Sequence, residues 1–451
     1  MRRLIVVGGD AAGMSGASQA RRMDPDLDIV VFERTHWVSY AACGIPYYVG
    51  GDVQELRRLQ ARTPEQFAKM SIDVRLRHEV TAIDTSAKTV QVRELEAGTD
   101  GMFAYDLLLY ATGTRPLLPP IQGLDLEGVH QARTLDDARC LRSALEAQPR
   151  NAAVIGGGYI GLELAEAFHN LHIPVTIFEM APTLLSRTMD PEMGELVASQ
   201  VRALGIEIHT DTRVDAVIGD NGRAVGVEAA GTTYPADIVV LGLGSVPNAA
   251  LADASGIALG PTGAVAVDDH QRTGADGVYA AGDCAEAIHR VTGAPVNLHL
   301  GTVANKQGRV AGTNLGGGDA AFPGVLGTAI TKVADIEIAR TGLTLAEAAD
   351  AGIDAVAAGL RSATAAGYWP ASTPMRIRTV VERLSGRLLG AQIVGGPGAG
   401  KRIDTFATAL WVGMTADELE YVDLSYSPPF SGVWEPANVA ARKARQAATR
   451  P

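Results

Sequence analysis

The sequence predicts an α/β protein made of two similar units with parallel sheets, followed by a C-terminal unit of mixed α+β structure. In each similar unit, near residues 4–13 and 152–161, a short apolar strand runs into a glycine-rich turn, a helical stretch and a second strand. After about residue 322 the chain shows strands and helices but no further turn of this kind. A length of 451 residues is enough for this many domains.

Composition excludes several classes of protein. A formal net charge of −12 argues against a nucleic acid as the main partner. Three scattered cysteines, Cys43, Cys140 and Cys284, do not make a disulfide scaffold or a cysteine-based zinc site, and no metal is predicted. The apolar run after Arg3 is about four residues long, too short for a signal peptide. No stretch approaches the roughly 20 apolar residues of a membrane span. We therefore predict a soluble, cytoplasmic protein.

The first glycine-rich turn is typical of a dinucleotide-binding unit. Gly8 and Gly13 enclose the turn, and the next strand ends on the carboxylate of Glu33, roughly 20 residues later. Glycines let the backbone approach a pyrophosphate at a helix N-terminus, and the acid accepts hydrogen bonds from ribose hydroxyls. These three residues are therefore predicted to bind a cofactor. Asp10 replaces the middle glycine of G-x-G-x-x-G and would place a carboxylate near the pyrophosphate, a departure with no physical account at this level.

The second turn matches G-x-G-x-x-G completely, and two copies predict two dinucleotides bound at once. Its strand also ends on an acid, which repels a 2′-phosphate and so favours NADH over NADPH. The residues predicted to bind this second nucleotide are Gly156, Gly158, Tyr159, Gly161 and Glu179.

Two further strand-like stretches, 107–113 and 237–248, indicate that the second unit interrupts the first. A later short strand ends in Gly282 and Asp283. The predicted division is 1–113 for the first part of the first unit, 114–245 for the second unit with its core at 151–245, 246–321 for the rest of the first unit, and 322–451 for the C-terminal unit. We expect the basic tail after Ala440 to fray.

This order of motifs resembles the flavoprotein pyridine nucleotide-disulfide oxidoreductases over essentially the full chain. The resemblance implies FAD on the first unit, with Glu33 at its adenosine ribose, and NAD(P)H on the second, with Glu179 in the matching place. It also implies that Gly113 and Asp283 contact FAD. The C-terminal unit would then form a homodimer.

The surroundings of Cys43 resemble the single-cysteine branch of that family. A Cys-x4-Cys dithiol would need a second cysteine where Tyr48 stands, and a Cys-x2-Cys dithiol would need one at Pro46. Residues 39–51, 401–404 and 426–431 resemble the branch that contains coenzyme A-disulfide reductases, NADH oxidases and NADH peroxidases. The oxidases and peroxidases typically carry a histidine where this chain has Ala11, so the resemblance favours coenzyme A-disulfide reductase.

The same resemblance implies residue roles. Cys43 would hold a mixed disulfide with a small thiol, and Tyr368 and Tyr426 would act on the departing thiolate from the partner subunit. Residues implied to bind the substrate, a small disulfide such as coenzyme A disulfide, are Gln19, Arg21, Arg22 and Ser39. The arginines could equally offset the negative end of the first helix.

The thiol chemistry requires a thiolate at Cys43. The sequence after Cys43 suggests a helix start, which we expect to lower the pKa of the thiol. Cys140 and Cys284 are predicted to be structural.

Other hypotheses stay open. One is an NADH oxidase or peroxidase that cycles Cys43 through sulfenic acid. A second is a persulfide or polysulfide reductase, and a third, of another class, is an electron-transfer or redox-sensing flavoprotein that binds a protein partner.

Overall fold

The computed structural model describes residues 1–449. Its first part combines strands of a parallel sheet with a separate antiparallel hairpin sheet. The elements are β1 Arg3–Val7, α1 Ala11–Met23, β2 Asp28–Glu33, α2 Ile45–Gly50, α3 Pro64–Ala68, β3 Ile72–Leu76, β4 His78–Asp84, β5 Thr89–Glu94, β6 Thr99–Ala104, β7 Leu107–Tyr110 and β8 Thr114–Pro116. Strands β4, β5 and β6 form the antiparallel sheet. A three-residue 3-10 turn, Ala42–Gly44, precedes α2.

The middle part contains a second parallel sheet in the order β12-β11-β10-β16-β9, with a three-stranded antiparallel sheet beside it. Its elements are β9 Val129–His130, α4 Leu135–Glu146, β10 Ala152–Ile155, α5 Tyr159–Asn170, β11 Val175–Phe178, α6 Pro191–Ala203, β12 Glu207–His209, β13 Val214–Asp220, β14 Arg223–Ala229, β15 Thr232–Pro235, β16 Ile238–Leu241 and β17 Ser245–Pro247.

The chain then returns to the first sheet. The elements are α7 Ala250–Ala254, β18 Val278–Ala280, β19 Ala287–Ile288, β20 Pro295–Val296 and α8 Gly301–Leu315. The completed first sheet has the order β18-β7-β1-β2-β3, all parallel. Its central strand β1 is a continuous apolar run because both faces are covered, and Leu4, Ile5 and Val6 are fully buried. Strands β8 and β17 pair where the chain leaves and re-enters this part.

The C-terminal part is a five-stranded antiparallel sheet in the order β21-β22-β25-β24-β23. Its elements are β21 Ala329–Val333, β22 Ile336–Gly342, α9 Leu345–Asp350, β23 Ala355–Ala363, β24 Pro374–Glu382, β25 Leu388–Gly395, α10 Ile403–Trp411, α11 Ala416–Glu420 and α12 Pro436–Ala448. Helices α10 and α12 pack against β23, β24 and β25 around Ile377, Phe406 and Ala440.

The α/β fold class with its mixed C-terminal part is confirmed. The division at residues 113, 245 and 321 stays a prediction. The expected fraying after Ala440 is wrong, because α12 continues to Ala448, Ala444 is fully buried, and Arg442 and Arg445 both donate to the buried carboxylate of Glu420. Among residues 1–449, no helix is both long enough and apolar enough to span a bilayer.

Candidate active site: two dinucleotide turns and a cysteine loop

The two glycine-rich turns have the same backbone geometry. Gly8 and Gly156 take φ values of +106° and +109°, which disfavour any residue with a side chain. A Cβ on Gly13 would overlap the carbonyl oxygen of Gly8, and one on Gly161 would overlap that of Gly156. Both turns therefore bring a helix N-terminus close to the end of a parallel strand, which is the geometry that cradles a pyrophosphate.

The helices that follow these turns begin without a side-chain cap. Neither Asp10, before α1, nor Gly158, before α5, makes a side-chain cap hydrogen bond. By contrast, a threonine in a capping box begins α3, α4, α9 and α11. The first amides of α1 and α5 therefore have no cap and, with the helix dipole, fit a phosphate.

Each strand-end carboxylate is fixed by the turn beside it. Glu33 Oε2 accepts a hydrogen bond of 2.7 Å from the amide of Gly9, and Glu179 Oε2 accepts one of 2.7 Å from Gly157. In each glutamate the other oxygen, Oε1, accepts from the backbone amide two residues later, that of Thr35 or of Ala181. A carboxylate has about four lone-pair sites, so each acid keeps acceptor capacity for a ribose hydroxyl.

A cleft of about 500 Å³ lies at the first turn, as an FAD site requires. Gly8, Glu33 and Gly113 all line it. Arg133, from the middle part of the chain, also lines it and lies 3.3 Å from Asp283. FAD would be held by the first turn, Glu33, Gly113 and Asp283, and it would supply electron transfer between a nicotinamide and a thiol.

The loop after Asp283 is tied to the returning strand β17. The His299 Nδ1 lies 2.7 Å from the hydroxyl of Ser245, and its Nε2 lies 2.6 Å from the amide oxygen of Asn297. Asn297 in turn donates to the carbonyl of Asp283. Burial lowers the pKa of His299, which favours the neutral ring. The sequence contained no motif that indicated this chain of contacts.

The loop that carries Cys43, residues 39–44, is called the cysteine loop, and it is hydrogen-bonded to the first turn. The amide of Ser39 donates to the carbonyl of Gly9 at 2.8 Å, and the amide of Tyr40 donates to Asp10 Oδ1 at 3.0 Å. Three residues further on, Cys43 is exposed in the 3-10 turn before α2. Ser39, predicted to bind substrate, adopts a left-handed φ of +50° at the base of this loop. The segment that carries the predicted redox residue is therefore bonded to the predicted FAD turn through Ser39 and Tyr40.

The expected lowering of the Cys43 pKa is wrong. Although the residue is exposed, desolvation by nearby protein atoms raises the pKa of the thiol, and the carboxylate of Glu163 raises it further. Arg133 opposes these effects only partly. The helix after Cys43 has six residues, too short for a strong dipole.

The other two cysteines differ from Cys43 in position. Cys140 is exposed on α4. Cys284 is fully buried behind β7 and β18, where burial raises its pKa to about 11. Neither lies in the segment that contacts the first turn.

The structure corrects the prediction for Arg21. Its guanidinium donates to the backbone carbonyls of Pro25, Leu27 and Ser71 and so fixes the chain after α1. This use leaves its guanidinium unavailable for a coenzyme A phosphate, because the carbonyls that it bonds lie in the chain after α1 and in the loop before β3. Arg22 is exposed and donates only to Gln19, at 3.2 Å.

Tyr159 and the C-terminal tyrosines lie in different parts of the fold. Tyr159 is the first residue of α5, and burial raises the pKa of its phenol. Tyr368 and Tyr426 lie side by side on the C-terminal part, 75% and 47% exposed. Phe430 and Trp434 are also exposed, so these tyrosines belong to a solvent-facing aromatic surface.

Two dinucleotide-type turns in one chain, with a cleft at the first and the loop that carries Cys43 attached to it, define a nucleotide-dependent redox enzyme. The family model described as pyridine nucleotide-disulphide oxidoreductase matches residues 2–308. The model of that family's dimerisation domain matches residues 328–437. The chain belongs to the pyridine nucleotide-disulphide oxidoreductases, which use FAD and NAD(P)H.

Three similar proteins have closely related names. The chain is 39% identical over 451 residues to the NAD(P)H coenzyme A polysulfide/persulfide reductase of Pyrococcus horikoshii, covering 98% of each chain. It is 30% identical to the coenzyme A disulfide reductase of Staphylococcus haemolyticus, covering 99% of this chain and 100% of the relative. Among solved structures, an NAD-dependent persulfide reductase from A. fulgidus is 41% identical with a TM-score of 0.94, over 98% of this chain and 82% of that one.

Proposed function

We propose that this oxidoreductase reduces a small disulfide of the coenzyme A type with electrons from NAD(P)H, and that Cys43 is its redox residue. The observation that carries the proposal is the attachment of the cysteine loop to the first turn through Ser39 and Tyr40. Tyr40 lines the cleft where FAD would bind, and Cys43 follows it three residues later.

The proposed chemistry at Cys43 uses one sulfur. The Cys43 thiolate attacks one sulfur of the substrate disulfide, which forms a mixed disulfide and releases the first thiolate. Two electrons that originate from NAD(P)H then cleave the mixed disulfide, which releases the second thiolate and restores that of Cys43. A second cysteine is not needed, and Pro46 and Tyr48 stand at the positions where related dithiols would place one.

Protonation of the departing thiolates is assigned to Tyr368 and Tyr426. In one chain both phenols face solvent, so they would act on Cys43 of the partner subunit across a homodimer. The match to a dimerisation domain supports this arrangement. No nucleic acid or membrane partner is proposed, and the cytoplasmic location stays a prediction.

Substrate binding is assigned to Arg22, Gln19 and Ser39. Arg22 is exposed at the end of α1, where a guanidinium can pair with a phosphate. Gln19 is buried and connects Arg22 to Thr313 of α8. Arg21 is removed from this set for the reason given above.

A second candidate reaction is reduction of a persulfide or polysulfide of coenzyme A. The names of two of the similar proteins, 39% and 41% identical to this chain, favour it. Both reactions place the same sulfur chemistry at Cys43. Ala11, by contrast, offers no acid-base group for the oxidase or peroxidase alternative.

Replacing Cys43 with serine tests the proposal most directly. Serine lacks a redox-active sulfur, so we expect NADH-dependent reduction of coenzyme A disulfide to fall more than roughly a thousandfold while FAD stays bound. Turnover and the flavin absorbance spectrum are the measurements, and Cys140→Ser is the matched control. Retained turnover in Cys43→Ser would contradict the mechanism.

Mass spectrometry of the native protein separates the candidate reactions. An adduct of coenzyme A on Cys43 supports disulfide reduction, an added persulfide sulfur supports the second candidate, and a sulfenic acid supports an oxidase or peroxidase. Binding of NADH without turnover of any of these substrates would favour an electron-transfer flavoprotein.

A further inference from the structure

Asp10 stands where the second turn has Gly158, at the residue before its helix. An aspartate at this position ordinarily caps the helix by accepting from its first amides. Here the backbone is extended, with φ −108° and ψ −153°, and the carboxylate makes no cap. It accepts instead from the amide of Tyr40, 30 residues away in sequence.

Two neighbouring contacts therefore join the turn to the cysteine loop. The carbonyl of Gly9 accepts from Ser39, and the next residue along, Asp10, accepts from Tyr40 through its side chain. With a glycine at position 10, only the contact between Gly9 and Ser39 would remain. Aspartate in place of glycine thus leaves the first amides of α1 open for a phosphate and adds a second hydrogen bond to the cysteine loop.

The charged groups around this carboxyl come from three other segments. They are Glu33 at the end of β2, Arg133 before α4, and Asp283 after β18, with the phenol of Tyr40 also close. Burial raises the pKa of Asp10 to about 6, and the Tyr40 amide and Arg133 counter it in part. The group can therefore change charge near neutral pH.

We propose that Asp10 is a positioning residue that holds the Cys43 loop on the first turn, because its side chain accepts a hydrogen bond from the Tyr40 amide. Removing that acceptor leaves the backbone contact between Ser39 and Gly9 as the one remaining bond between these two segments. The inference rests on the proposed function only in naming Cys43 as the reacting thiol.

Hydrogen exchange of the FAD-loaded enzyme measures the attachment directly. We compare protection of the Tyr40 amide at pH 7.5, corrected for intrinsic exchange, in wild type, Asp10→Asn and Asp10→Gly. Asn keeps a side-chain acceptor without charge, whereas glycine removes both. Asp237→Asn is the matched control, since that carboxylate also accepts from backbone amides, those of Arg150 and Asn151, in the other unit.

Asp10→Gly should lower the protection roughly tenfold, because it removes the acceptor. Asp10→Asn should stay within about threefold of wild type, because it keeps one. Full protection in Asp10→Gly would overturn the attachment. Asp10→Ala also lacks the acceptor and makes the same comparison if Asp10→Gly does not fold.

Alkylation of Cys43 by iodoacetamide, located by mass spectrometry, links the attachment to the thiol. Its rate at pH 7.5 should be higher in Asp10→Gly than in wild type and close to wild type in Asp10→Asn. Equal rates in all three proteins would overturn the link to Cys43. Failure of the proposed disulfide reduction would show in turnover with the Tyr40 protection intact, so the two failures are distinguishable.

Discussion

The two glycine-rich turns share one backbone but serve different segments. In both, a positive-φ glycine follows the strand and a strand-end glutamate accepts from the turn. In both, the second glycine of the turn also accepts from a loop, Gly9 from Ser39 and Gly157 from Leu185. Only the first turn adds a side-chain contact, from Asp10 to Tyr40, whereas Gly158 has no atom within 4 Å of where a side chain would begin. The two turns therefore differ at one position, where the first has an additional bond to the loop that carries Cys43.

The largest expected difference between the turns comes from the glycine that packs against each strand end. Gly13→Ala should destabilise the protein by about 3 kcal/mol or more and abolish FAD binding, because the new Cβ overlaps the carbonyl of Gly8. Gly161→Ala, with the same overlap at Gly156, should keep FAD and raise the KM for NADH roughly tenfold or more. Flavin content and steady-state kinetics are the measurements. Loss of FAD in both variants would show that the turns are not independent.

A smaller effect concerns the charge that only the first turn carries. The pKa of Asp10 is about 6 in the folded protein and 3.8 ordinarily, so the folded state prefers the protonated form. Cofactor-free wild type should therefore lose stability as the pH rises from about 4 through about 6, by up to about 3 kcal/mol relative to Asp10→Asn.

Urea unfolding at pH 4.5 and pH 7.5 measures this difference in stability. If wild type and Asp10→Asn had the same pH dependence, the electrostatic difference between the turns would be absent.

The reverse change tests the second turn. Gly158→Asp would place a carboxylate there, and it should weaken NADH binding at pH 7.5 while leaving FAD content unchanged.

The smallest expected effect lies in the choice of nicotinamide nucleotide. Glu179→Gln keeps an acceptor oxygen but removes the charge that repels a 2′-phosphate, so the preference for NADH over NADPH should fall about tenfold. The ratio of kcat/KM for the two nucleotides measures it. Glu33→Gln, the matched change in the first turn, should leave that ratio unchanged, and an unchanged ratio in Glu179→Gln would assign the preference to other residues.

Local sequence signals predict the central strands of both parallel sheets and the glycine-rich turns after β1 and β10, but not the strands β3, β9 and β12. Those signals depend on residues close together in the chain, so periodicity and glycine placement suffice. The C-terminal part was harder to predict. The apolar residues across 327–338 predict one continuous strand, but the structure has two, β21 and β22, which form a hairpin that reverses at Ala334, where φ is +51°. The alanine-rich stretch that contains β23 had no strand signal because this strand is defined mainly by its pairing with β24.

The sequence by itself determined the fold class, the two nucleotide turns with Glu33 and Glu179, and the presence of a single cysteine where relatives can carry two. Only the tertiary structure decided how Asp10, Arg21 and the α12 arginines are used. Each of these side chains bonds to a group whose position depends on how distant segments pack, as with Tyr40 for Asp10 and Glu420 for the arginines. A charged residue carries no local signal of its partner, because hydrogen-bond partners are chosen by proximity in space.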